Sequence, residues 1–116
     1  MNDILRHETS KRMSKAVVFN GTAYLCGQVA SERKDDAREQ TRSTLEKIDM
    51  ILREIGTDKT RILSATIYLK KMSDYCGMNE VWDQWVPENS APARACVKAD
   101  MAAEDILVEI SIIAAV

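Results

Sequence analysis

The spacing of apolar positions changes from segment to segment along this chain, and each change marks an element. Val17-Val18-Phe19 and Thr22-Ala23-Tyr24-Leu25-Cys26 are two β-prone runs joined by Asn20-Gly21. That pair tolerates the positive φ of a tight turn, so the segment predicts a β-hairpin. After Gly27-Gln28-Val29 comes a polar stretch ending in Asp35-Asp36, and then Ala37, Thr41, Leu45, Ile48, Leu52 and Ile55 recur at steps of three and four. This is the apolar face of one helix of about five turns. Asp36, with Glu39 three residues on, forms a capping pair at its start, and Gly56 supplies a left-handed residue at its end.

From Ile62 to Lys70 the period drops to two, with Leu63, Ala65, Ile67 and Leu69 alternating against Ser64, Thr66 and Tyr68. A strand with one buried face follows. A second helix begins at about Ser73, carries Tyr75, Met78, Trp82 and Trp85 on one stripe, and stops at Pro87. Ala93 to Ala99 alternates small apolar residues with Arg94, Cys96 and Lys98, while Ile106 to Val116 is apolar at nearly every position; both read as strands. The β-β-α-β-α-β-β order predicts a single α+β domain over residues 1–116, with two helices packed on one face of a sheet. The last strand, however, offers Ile106, Val108, Ile110 and Ile112 on one side and Leu107 and Ile113 on the other, and no further helix follows. The bare face needs a cover, and the expected cover is another copy of the same chain.

Composition removes several classes of function. The 116 residues are 46% hydrophobic and 29% charged, which suits one globular domain and excludes repeat arrays and wholesale disorder. Sixteen Lys and Arg against eighteen Asp and Glu leave a net charge of -2 and no basic patch, so nucleic acid is not an expected partner. The start of the chain has no basic segment leading into an apolar block, and no membrane-length apolar run occurs, which makes the cytoplasm the expected location. Cys26, Cys76 and Cys96 lack metal-ligand or disulfide spacing, so no metal site is expected. His7, the single histidine, gives a Ser-His or Cys-His catalytic pair little to work with.

Two charged residues stand out against their surroundings. Glu109 lies among Leu107, Ser111 and Ile113 in the apolar last strand, where an ionised carboxylate is costly unless it is paired or hydrogen-bonded. Arg94 lies among small residues in Ala91-Pro92-Ala93-Arg94-Ala95-Cys96-Val97, which leaves its guanidinium room for a ligand. If 93–99 and 106–115 pair as an antiparallel hairpin closed about residues 102 and 103, Cys96 faces Glu109, Arg94 faces Ser111, and all four share one face. That arrangement reads equally as a structural Arg-Glu ion pair or as a site whose planar fork grips a substrate carboxylate. Glu109 reaching water from a half-solvated face is the plainer alternative. Tyr75, Trp82 and Trp85 read as core or subunit-contact residues, and Cys96 as a small buried hydrophobe.

Taken in order, Cys26-Gly27-Gln28, Ala65-Thr66-Ile67-Tyr68-Leu69, Met78-Asn79-Glu80, Ala91-Pro92-Ala93-Arg94-Ala95-Cys96-Val97 and Val108-Glu109-Ile110 resemble the reactive-intermediate deaminases, the RidA or YjgF family. The most specific part is the Pro-x-Arg-x-x-Val strand, with a Glu fifteen residues after the arginine. The resemblance implies a chorismate-mutase-like α+β fold with a mixed, mainly antiparallel sheet, a homotrimer with sites between subunits, and cofactor-free hydrolysis of enamines and imines of the 2-aminoacrylate type to 2-oxo acids and ammonia. It assigns Arg94 to the substrate carboxylate and Glu109 to orienting water, with Asn79, Gly27 and Cys96 lining the cleft. Two of the implied substrate-binding positions depart from the family: Cys26 stands where serine is usual, and Met13 where a tyrosine is usual. Together with Arg12-Met13-Ser14 and Met78-Asn79-Glu80-Val81-Trp82-Asp83-Gln84-Trp85, these departures resemble a side branch of the family. The same cleft could serve a non-catalytic trimer that binds small carboxylates such as 2-oxo acids.

Overall fold

The computed structural model describes residues 3–34 and 36–116; Met1, Asn2 and Asp35, the last from the polar stretch before the first helix, lie outside the described residues. The chain enters through β1 (Leu5–Thr9), a strand of Leu-Arg-His-Glu-Thr with no apolar alternation to announce it. β1 pairs antiparallel with β2 (Ser14–Phe19), which turns through Asn20 (φ 52°) and Gly21 (φ 73°) into β3 (Thr22–Leu25). Two successive left-handed residues match the right-handed twist of the flanking strands, the physical basis of the Asn-Gly signal. A two-residue strand, β4 (Gln28–Val29), precedes helix α1 (Ala37–Glu54).

Both ends of α1 are closed as its sequence indicates. Asp36 Oδ1 accepts the Glu39 N–H at 3.0 Å, satisfying one of the unpaired donors of the first turn. At the other end Gly56 adopts φ 85°, its N–H donates to Arg53 O, and the Thr57 N–H donates to Leu52 O. These are the paired reverse bonds of a Schellman ending. The chain continues through β5 (Ile62–Leu69), α2 (Tyr75–Trp85), β6 (Ala93–Lys98) and β7 (Val108–Ala115).

The sheet order is β1-β2-β3-β7-β5-β6, with β4 pairing to β7 beside β3. This corrects the expected hairpin between residues 93–99 and 106–115, because β5 lies between β6 and β7. β6 pairs parallel to β5, and β7 pairs antiparallel to β5 on its other side. A strand, a helix and a strand in succession form a βαβ crossover, and the intervening α2 carries the chain back so that β6 runs parallel to β5. The sheet is thus mixed and mainly antiparallel, as the resemblance implies.

α1 and α2 cover one face. Leu45, Ile48 and Leu52 of α1 and Met78 of α2 are fully buried, together with Ala65, Ile67, Leu69, Val108, Ile110 and Ile112 of the sheet. Complete burial of each large aliphatic side chain contributes about 1.5–3 kcal/mol. Polar groups in this layer are satisfied: Gln40 Nε2 donates to Arg33 O and Asp105 O, and its Oε1 accepts the Leu107 N–H, all at 3.0 Å. The opposite face carries Val17, Tyr24, Ile113, Ser64 and Ala93 in one row across the sheet and Glu109, Tyr68 and Val97 in another. Among the described residues no helix covers it, and Tyr24 and Val97 remain 48% and 44% exposed. Leu63 leaves the expected alternation because the register shifts at that point, and it is exposed rather than buried.

Candidate functional site

Arg94 projects from the edge strand β6 on the helix-covered side, because it aligns with Ala65 and, through it, with the buried Ile112. The side chains of α2 hold it there. Its Nη1 donates to Asn79 Oδ1 at 2.8 Å and lies 3.9 Å from Met78 Sδ, while Nη2 reaches the Tyr75 hydroxyl at 3.5 Å. The guanidinium carbon stands 5.3 Å from the Trp82 ring and 6.0 Å from the Tyr75 ring, within cation–π range. Among the described residues Arg94 joins no ion pair, so the structural Arg-Glu reading is not realised. Cys96, two residues on, shares this side. Burial pushes its thiol pKa up, opposed in part by the Arg94 charge, a net shift that runs against the nucleophilic thiolate form.

Glu109 projects from the other face. It aligns with Tyr68 on β5 and with Val29 on β4 and borders a cleft of about 250 Å³ that also includes Ser111 and residues 99–102. Gly27 presses on it: a methyl group at Gly27 would stand 2.3 Å from Glu109 Oε2. The absence of a side chain there is what gives the carboxylate its space. Cys26 lies beside this glycine, with its N–H bonded to Lys15 O at 2.9 Å and its Sγ accepting from Gln28 Nε2 at 3.2 Å. Met13 occupies the β1–β2 turn, 55% exposed, with its backbone tied to Ser10. The Lys15–Cys26 bond places that turn at the same end of the sheet as Gly27.

The four residues expected on one face therefore fall into two pairs: Arg94 and Cys96 on the helix side of the sheet edge, with Asn79 of α2 bound to Arg94, and Glu109 and Ser111 on the open face, with Gly27 against Glu109. The sheet lies between them. A cleft of equal volume between α1 and α2, bordered by Arg42, Lys59 and Trp85, holds none of these residues. Among the described residues no three His, Cys, Asp or Glu side chains gather to hold a metal ion. Sequence reasoning gave Tyr75 and Trp82 as core or subunit-contact residues: Trp82 is buried in the core and Tyr75 is exposed, and both also meet Arg94, from the face of α2 that their spacing of three and four from Met78 defines.

The family model described as Endoribonuclease L-PSP matches residues 4–116. A RutC family protein from Haemophilus ducreyi is 45% identical over 97% of each chain, and the RutC family protein YoaB of Escherichia coli K12 is 42% identical over 97% of this chain and 98% of its own. The crystal structure of a YjgF family member from Neisseria meningitidis superposes with a TM-score of 0.95 at 46% identity, covering 97% of this chain and 94% of that one. The chain belongs to the RidA/YjgF family. Within the RidA/YjgF fold, Cys26 turns its thiol to Gln28, while Met13 brings a flexible apolar side chain to the exposed turn. No helix among the described residues is long and apolar enough to cross a membrane.

Proposed function

We propose that this protein hydrolyses reactive imines and enamines of the 2-aminoacrylate type to 2-oxo acids and ammonia, at sites formed between copies in a homotrimer. The observation that carries the reading is Arg94: a guanidinium held in place by Asn79 and an aromatic wall, with no carboxylate partner among the described residues. Such a fork suits the planar carboxylate of a small acid. The open face of a neighbouring copy would bring Glu109, Gly27 and Ser111 to the other end of that substrate, which no single chain can do across its own sheet.

The chemistry asked of the site is modest. The enamine tautomerises to an imine whose carbon is already electrophilic. Glu109 takes a proton from water as the oxygen adds to the imine carbon and passes it to nitrogen, giving the neutral carbinolamine; the hydroxyl proton then moves through the same carboxylate to nitrogen as the C–N bond breaks, leaving the 2-oxo acid and ammonia. The family description names a ribonuclease. A net charge of -2 and a lone histidine supply neither a track for the RNA backbone nor a pair of proton carriers, so the deaminase reading is preferred.

The test is ammonia release from enzymatically generated imines, with pyruvate affinity measured by calorimetry on the same preparations. Glu109→Gln keeps shape but cannot accept the proton, so turnover falls about 10²-fold or more while pyruvate affinity is largely kept. Arg94→Ala loses both. A wild type that binds pyruvate but never exceeds the spontaneous rate with any imine is a carboxylate-binding protein instead.

A further inference from the structure

Tyr75 opens α2 one turn before Asn79 and is 38% exposed. Its hydroxyl is 3.5 Å from Arg94 Nη2, which donates toward it. An oxygen that faces a cation must direct its own hydrogen elsewhere, and among the described residues no acceptor takes it. The neighbouring guanidinium is already committed on one side: Nη1 is bound to Asn79 Oδ1 at 2.8 Å, and the plane is steadied by the buried Trp82 ring at 5.3 Å. The edge left for a ligand is therefore Nε and Nη2, and Nη2 is the nitrogen that the Tyr75 hydroxyl faces.

Resting on the reading of Arg94 as a carboxylate anchor, we infer that Tyr75 is a second binding residue of that anchor. Its hydroxyl donates to the same carboxylate that Nε and Nη2 grip, so the anion seat for 2-imino and 2-oxo acids is an Arg–Tyr pair. A carboxylate arriving there replaces the long contact between Nη2 and the hydroxyl with charge-assisted bonds to both donors, which the ground state and transition state share equally. Tyr75 then acts on substrate affinity rather than on the proton transfer at Glu109. It also discriminates, because a neutral amide in place of the carboxylate offers weaker acceptors to both donors.

The experiment compares wild type, Tyr75→Phe and Arg94→Ala for calorimetric binding of pyruvate and of pyruvamide, and for imine hydrolysis. Tyr75→Phe is expected to weaken pyruvate about tenfold and to raise KM by the same factor with kcat unchanged. It should weaken pyruvamide by a smaller factor than pyruvate and leave the thermal midpoint where it was, which a merely structural role would not predict. If Tyr75→Phe binds pyruvate as tightly as wild type while Arg94→Ala does not, the Arg–Tyr seat is wrong and the arginine anchor stands alone. If wild type itself neither binds pyruvate nor hydrolyses an imine, the anchor reading and the seat fall together.

Discussion

Gly27 offers the cleanest single-residue probe of the Glu109 side. Its φ is not in the left-handed region, so alanine costs the backbone little there, and the three atoms nearest to an added methyl group all belong to the flexible side chain of Glu109. Stability should therefore change by less than about 1 kcal/mol, because the carboxylate can swing aside. Swinging aside is what catalysis cannot tolerate, since misplacing a reacting group by an ångström costs about 10²-fold. Gly27→Ala is expected to keep the thermal midpoint and pyruvate affinity nearly intact while imine hydrolysis drops by about that factor. Unchanged turnover would mean that Glu109 does not need its present position.

Single elements were legible where local chemistry decides them, and α1 is the clearest case. Asp36 and Gly56 mark its two ends because a cap and a left-handed residue are properties of a few adjacent residues. Asp36→Ala should lower the unfolding free energy by about 1 kcal/mol, read from urea denaturation at one fixed protein concentration. β1 stayed hidden because Leu-Arg-His-Glu-Thr is held by pairing to β2 rather than by burial of one face. The site was legible in identity and not in arrangement. Arg94 and Glu109 stood out as charges among small and apolar neighbours, whereas the face each occupies depends on which strand lies beside it. A direct β6–β7 hairpin puts Arg94 level with Ser111; with β5 between them Arg94 is level with Ile112, and a shift of one residue sends every side chain to the opposite face. The strand-helix-strand order around α2 was the signal for parallel pairing.

At the scale of the whole molecule, the two groups lie on opposite sides of one sheet, and this separates the possible assemblies by experiment. In a ring of three copies joined head to tail, each site takes Arg94 from one chain and Glu109 from the next. Arg94→Ala and Glu109→Gln chains are each inactive alone in that arrangement, because every site lacks one member. Unfolded together in equal amounts and refolded, they assort at random, and roughly one site in four then pairs an intact Arg94 with an intact Glu109. The refolded mixture should recover about a quarter of wild-type imine hydrolysis, while each variant refolded alone recovers none. Native mass spectrometry confirms that mixed trimers have formed. Mixed trimers without activity would place both residues' work within single chains or remove one of them from the reaction. A folded monomer persisting on dilution to micromolar concentration would leave the open face uncovered and the shared site without its second wall.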